Sequence, residues 1–239
     1  MHTSPLLDTL EAAGGIVVDY HGRRLVRHFG GPQAEYSAAT TGVAVFDRSH
    51  RARLTVRGRA PAQMLNGVLT GRLPDGPASD ATSGSDAEAD GVATAEGSYH
   101  AVLTPKGKMI SDLVALRAGG EEDVGFLLDV PVAGLSGLME HFGKFLPPRF
   151  AKVEDVSGAT ASITFAGPDA ASMISRLALA LRVEPNELVD APEYRWWTID
   201  RSGQGLLVVR TEEIWPDAWT VYGPADAVRA LWQRAVSEG

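Results

Sequence analysis

Residues 99–113 read Tyr99-His100-Ala101-Val102-Leu103-Thr104-Pro105-Lys106-Gly107-Lys108-Met109-Ile110-Ser111-Asp112-Leu113. An apolar run, a Thr-Pro-Lys-Gly turn and a second apolar run spell a β-hairpin. The second strand carries one acid, Asp112, among Ile110, Leu113, Val114 and Leu116. Such an acid either faces solvent or needs a partner or a ligand, because an unpaired charge is costly to bury. Both readings stand at this level. Val114 lies two residues beyond Asp112 and so shares its face of the strand.

Outward from the hairpin, one unit recurs three times: an apolar strand, a glycine, then a helix. Leu54-Thr55-Val56-Arg57-Gly58 precedes a helical 60–69; Ile163-Thr164-Phe165-Ala166-Gly167-Pro168 precedes 170–181; Trp219-Thr220-Val221-Tyr222-Gly223-Pro224 precedes 226–236. The glycine allows a sharp turn, and a proline after it fixes φ for helix entry. None of the three has a phosphate-cradling G-x-G-x-x-G or Gly-Lys-Ser/Thr pattern, so all three read as structural. Helical patterns at 5–13 and 33–44 and strands at 16–20, 24–29 and 52–57 fill the N-terminal part. Pro131 opens a further helix whose apolar face is Leu135, Leu138, Met139, Phe142, Phe145 and Leu146, stopped by Pro147-Pro148. Hairpins mixed with strand–helix steps predict an α/β (α+β) chain of mainly antiparallel sheets with packed helices.

Composition narrows the function classes. A chain of 239 residues with 44% hydrophobic content builds a large core. With no cysteine, disulfides, thiolate metal sites and cysteine nucleophiles are excluded. The six histidines (2, 21, 28, 50, 100, 141) lack metal-ligand spacing, so no metal site is expected. No apolar run reaches the ~20 residues of a membrane span, and no basic-then-apolar leader opens the chain. The expectation is a cytoplasmic protein. Six of the net −8 charges (Asp75, Asp80, Asp86, Glu88, Asp90, Glu96) fall in residues 75–98, which hold no basic residue. This segment, poor in large aliphatics, is expected to be a flexible acidic loop. The remainder is near neutral, with no basic stripe for nucleic acid.

Three smaller patterns carry readings of their own. Asp47-Arg48-Ser49-His50 places acid, hydroxyl and imidazole close together, but a catalytic triad is assembled in space, so a hydrogen-bonded turn is expected. Arg51, Arg53, Arg57 and Arg59 alternate along a strand and read as a solvated basic face, the alternative being a face that meets an anionic ligand tail or the chain's own acidic loop. All five tryptophans lie between 196 and 232; Trp219 and Trp232 fit the strand–helix step as core, and Trp215 is the candidate ligand wall.

Taken in order, these segments resemble the aminomethyltransferase folate-binding superfamily, best known from the T-protein of glycine cleavage. The matching pieces are Phe29-Gly30-Gly31-Pro32-Gln33-Ala34-Glu35-Tyr36, Val45-Phe46-Asp47-Arg48-Ser49, Val56-Arg57-Gly58-Arg59-Ala60, the Tyr99–Leu113 hairpin, Gly167-Pro168-Asp169-Ala170, Val208-Val209-Arg210, Tyr222-Gly223-Pro224 and Leu231-Trp232. The resemblance implies α/β subdomains, about 1–130 and 131–239, arranged around a folate pocket. It implies Asp112 as the catalytic carboxylate facing the reactive nitrogens of tetrahydrofolate, with Tyr99 and Val114 lining the pterin pocket. It also implies Arg210 as a binding residue.

The chain departs from the family in three ways. After Arg210 the family's Gly-Tyr-Thr-Gly-Glu is replaced by Thr211-Glu212-Glu213-Ile214-Trp215-Pro216-Asp217, leaving Glu212 or Glu213 as the candidate substitute for the glutamate that grips the pterin, beside Trp215 as ligand wall. The sequence stops where the family's C-terminal barrel domain would begin, so a protein partner supplying that domain is expected. The turn Lys106-Gly107-Lys108-Met109 is similar to a sister branch that maintains iron–sulfur enzymes, without that branch's cysteine. The resemblance thus implies a tetrahydrofolate-binding protein, with one-carbon transfer as its activity. The alternative is a non-catalytic accessory protein, either an iron–sulfur maintenance factor or a subunit of a multi-chain amine demethylase.

Overall fold

The structure is a computed structural model that describes residues 2–74, 92–118, 125–199, 205–214 and 217–238. The described residues form mainly antiparallel sheets with helices packed on them, as the hairpins and strand–helix steps predict. Two compact units result, and they do not follow the expected cut near residue 130. Of the described residues, the first unites those of 2–50, 92–94 and 158–238; the second takes those of 51–74 and 95–157. Strand pairing between distant stretches sets this division, which local composition does not reveal.

The first unit opens with β1 (His2–Thr3), α1 (Leu7–Ala12), β2 (Ile16–Tyr20), β3 (Arg23–His28), α2 (Pro32–Thr41) and β4 (Ala44–Asp47). The second unit follows with β5 (Arg51–Arg57), α3 (Pro61–Asn66), β6 (Ala93–Leu103), β7 (Met109–Ala118), β8 (Gly125–Pro131), α4 (Val132–Phe145) and β9 (Lys152–Asp155). The chain then returns to the first unit as β10 (Thr160–Ala166), α5 (Ala170–Leu177), α6 (Pro185–Asp190), β11 (Arg195–Thr198), β12 (Leu207–Thr211), β13 (Ala218–Pro224) and α7 (Ala225–Glu238).

In the first unit the strands pair in the order β4-β10-β13-β12-β11, all antiparallel. Ile163, Phe165, Trp219 and Val221 face one side and pack with Ile174 of α5 and Leu231 and Trp232 of α7. Trp219 and Trp232 are buried core residues, as the strand–helix step predicts. Large side chains of this kind contribute roughly 1.5–3 kcal/mol each when buried. Gly167 (φ +125°) closes the step from β10 to α5: a side chain there would lie 2.7 Å from the Ala39 carbonyl oxygen. Gly58 (φ +148°) does the same after β5, where a Cβ would lie 2.7 Å from the carbonyl carbon of Phe150. Two of the repeated glycines are therefore required both by backbone angle and by close backbone approach.

In the second unit the order is β6-β7-β8-β5-β9. Val102, Leu113, Leu128, Val130, Leu54 and Val56 cover one face and bury against Leu65 of α3 and Leu138 and Phe142 of α4. Phe145, expected on this apolar stripe, is 49% exposed, while Phe142 and Leu146 on the same turn stay in the core. The expected acidic loop needs correction at its C-terminal end. Residues 93–98 belong to β6, where Gly97 and Ser98 pair with Leu116 and Ala115 of β7. Pairing extends the hairpin into a stretch whose composition alone reads as loop. The rest of that segment, residues 75–91, lies outside the described residues.

Candidate functional site

The second face of the β6-β7-β8-β5 sheet carries the hairpin's acid. Cross-strand partners point to the same face, so the register gives the layout directly. Tyr99 stands opposite Val114, Val114 opposite Asp129, and Asp129 opposite Arg53. Asp112, two residues before Val114, occupies the next row. Asp112, Asp129, Arg53 and a tyrosine thus share one face, while the reverse face is apolar core.

Asp112 is half-buried. The Tyr99 hydroxyl donates to its Oδ2 at 3.1 Å, a diagonal contact across the hairpin. Among the described residues no cation pairs with the Asp112 carboxylate, and its Oδ1 has no protein partner. Tyr99 is 52% exposed, so its ring offers a flat apolar surface beside the acid. Val114 is half-buried between Tyr99 and Asp129. The structure therefore brings together three of the residues singled out in the sequence: Tyr99, Asp112 and Val114.

The neighbouring acid behaves differently. Asp129 is 2% exposed, and Arg51 Nε donates to its Oδ1 at 2.6 Å while Arg51 Nη2 donates to its backbone carbonyl at 3.1 Å. Arg53 is fully buried; its Nη1 and Nη2 donate to the carbonyls of Arg51 and Ser157 at 3.1 and 2.9 Å. This overturns the reading of Arg51 and Arg53 as a solvated basic face. Their alternation with Ala52, Leu54 and Val56 places them on one side of β5, but backbone carbonyls and Asp129 satisfy them in place of water. Sequence reasoning passed over Asp129, although it carries the same signal as Asp112: one acid in an apolar strand, Phe126-Leu127-Leu128-Asp129-Val130.

The remaining candidates lie in the first unit. Arg210 is buried opposite Trp219, on the core side of the sheet, and its Nη1 donates to Glu212 Oε1 at 2.7 Å. Glu213 is paired with the buried Arg48. Both acids proposed to replace the family's pterin-gripping glutamate are thus already engaged by arginines. Trp215 lies outside the described residues. The Asp47–His50 segment is a turn: the amide and hydroxyl of Ser49 both donate to Asp47 Oδ1, at 3.1 and 2.6 Å, and Ser49 is fully buried. A cavity of about 750 Å³ also opens in this unit, lined by Val26, Phe29, Val45, Met173 and Trp232 among others; none of the predicted site residues lines it.

Behind the Tyr99–Asp112 pair, on the apolar face, His100 is buried and its Nε2 lies 2.6 Å from the Ser98 hydroxyl. Burial holds its pKa below the ordinary histidine range, favouring the neutral ring. Among the described residues no group of three or more His, Cys, Asp or Glu could hold a metal ion, and no helix is long and apolar enough to cross a membrane.

Comparison with known proteins adds three findings. The model of the GCVT N-terminal domain family matches residues 6–239. A curated aminomethyltransferase of Cutibacterium acnes is 25% identical across 100% of this chain and 60% of its own length; one of Halalkalibacterium halodurans is 24% identical across 99% and 58%. The chain thus spans about three-fifths of the length of these relatives. The crystal structure of glycine cleavage system aminomethyltransferase T from Bartonella henselae superposes with a TM-score of 0.73 at 17% identity, covering 97% of this chain and 56% of that one.

Proposed function

We propose the function from one premise: the chain belongs to the GCVT N-terminal domain family. The reading is a tetrahydrofolate-binding protein that supports one-carbon transfer, with Asp112 as its acid–base residue and Tyr99 and Val114 as the residues that hold the pterin. The observation that carries it is the state of Asp112: half-buried, steadied by one phenol and, among the described residues, paired with no cation.

The residues fit such a ligand. A carboxylate is an acceptor with about four lone-pair sites, and Tyr99 occupies one of them. Oδ1 is therefore left to accept a ligand N–H or to take and return a proton. The exposed Tyr99 ring gives a flat heterocycle a surface to cover, and Val114 supplies an apolar wall that excludes water. Tetrahydrofolate, when bound, supplies the nitrogens that accept a one-carbon unit. The protein's own part is to hold the ligand, keep the Asp112 carboxylate oriented through Tyr99, and handle the proton at Oδ1.

A second reading draws on a different observation. Glu212 and Glu213 are both engaged by arginines, so neither candidate for the family's pterin-gripping glutamate is left to a ligand alone. This favours a scaffold retained as an accessory protein, with a polypeptide partner. Calorimetric titration of the full chain with tetrahydrofolate separates the two. Saturable binding below the millimolar range supports the first reading; no heat of binding at millimolar ligand overturns it and leaves the accessory role.

A further inference from the structure

Helix α4 meets strand β7 at the residues immediately before Asp112. Gly134, in its first turn, packs over Ser111, and Gly137, one turn on, packs over Ile110. A methyl group at Gly134 would lie 2.7 Å from Ser111 Cβ and closer still to its Oγ, and 3.4 Å from the Cα. Rotating the serine hydroxyl relieves one of these contacts but not the one to Cβ. Ser111 is also tied to the acid: it is buried, and its hydroxyl donates to the Asp112 carbonyl at 3.0 Å. Anything that lifts Ser111 therefore acts on the peptide carrying the Asp112 side chain.

We propose that Gly134 is a positioning residue for Asp112: its missing side chain lets α4 seat Ser111, and Ser111 fixes the carboxylate where the Tyr99 hydroxyl reaches it. The role of Asp112 rests on the function proposed above; the positioning itself does not. A close-packed interior does not absorb a methyl at this distance, so β7 or α4 shifts by a few tenths of an ångström. The hydrogen bond at 3.1 Å is the contact that such a shift changes first.

The same helix contains its own control. A methyl group added at Gly143 would have no neighbouring atom within 4 Å, so Gly143→Ala places the same group on the same helix in open space. Both substitutions exchange glycine for alanine within α4. Only Gly134→Ala touches Ser111.

The test is carboxyl ¹³C NMR of the full chain labelled at aspartate, with the Asp112 signal assigned by its loss in Asp112→Asn. Gly134→Ala is expected to move that signal and Gly143→Ala to leave it in place. Ser111→Gly in the Gly134→Ala background removes the colliding atoms and is expected to bring the signal back to that of Ser111→Gly alone. An Asp112 signal unmoved by Gly134→Ala in a folded protein overturns the proposal, as does equal movement in Gly143→Ala. Tetrahydrofolate titration of the same variants then reads the consequence. Gly134→Ala is expected to weaken binding no more than Asp112→Asn does, by a few-fold, and to add nothing further in an Asp112→Asn background. A moved signal with no binding by any variant, the parent chain included, upholds the positioning and removes the proposed function.

Discussion

Asp112 and Asp129 sit on adjacent strands of one sheet and point to the same face, yet they are in opposite chemical states. Asp129 is sealed from solvent and held by Arg51 at both its side chain and its backbone. Asp112 is half-buried, touched by one phenol and, among the described residues, keeps an oxygen to spare. The difference lies in the third strand: β5 brings Arg51 within reach of Asp129, and no cation of the described residues engages Asp112. A carboxylate saturated by an arginine organises the fold, and one left with acceptor capacity can serve a ligand.

The largest expected effect breaks the sealed acid. Asp129→Asn strips Arg51 of its counter-charge inside the protein, and loss of one partner of a buried pair costs about 3–5 kcal/mol. Urea unfolding is expected to show that loss, while Asp112→Asn changes stability by no more than about 0.5 kcal/mol. Equal destabilisation by both would mean that the two acids do the same work.

Activity should rank them the other way. Asp112→Asn is expected to keep tetrahydrofolate affinity within a few-fold and to abolish one-carbon transfer, since the amide still bonds but no longer takes a proton. Transfer assays that find the asparagine variant as active as its parent would take Asp112 out of the chemistry.

Tyr99→Phe sharpens the contrast at smaller scale. It removes the only protein hydrogen bond to the Asp112 side chain among the described residues, and a stability change of about 1 kcal/mol or less is expected. The ligand affinity should fall by a few-fold, and calorimetry would show it.

The reverse face gives a pH test. Burial disfavours the charged form of His100, so its folded pKa lies below the ordinary 6.5 of the unfolded state. Between those two values the unfolded chain binds the extra proton. Stability should therefore be full above pH 6.5 and fall as the pH drops below it. His100→Gln is expected to flatten that part of the profile in unfolding experiments from pH 7.5 to 5.5. The smallest effect is at Glu212, whose side chain is 53% exposed in its pair with Arg210. Glu212→Gln should cost no more than about 1 kcal/mol and leave ligand affinity unchanged.

Much of this was legible in the chain itself. The hairpin, the three strand–glycine–helix steps and the buried Trp219 and Trp232 all follow from local periodicity and glycine placement, and the order of segments led to the family. The division into units was not legible, because β5 pairs with β8 and β9 rather than with a sequence neighbour. Nor was the burial of Arg51 and Arg53: alternation shows which face a side chain takes but not what lies over that face. Asp112 stood out for being charged in an apolar strand, and Asp129 met the same criterion. Only the register, which sets Arg51 and Arg53 beside one and not the other, separates them.

That separation can be read directly. In the aspartate-labelled chain, the carboxyl signals of Asp112 and Asp129, assigned by their asparagine variants, are followed as tetrahydrofolate is added. The Asp112 signal is predicted to move with ligand concentration while that of Asp129 stays fixed. Saturable binding that leaves Asp112 unmoved, or that moves Asp129 instead, would contradict the account.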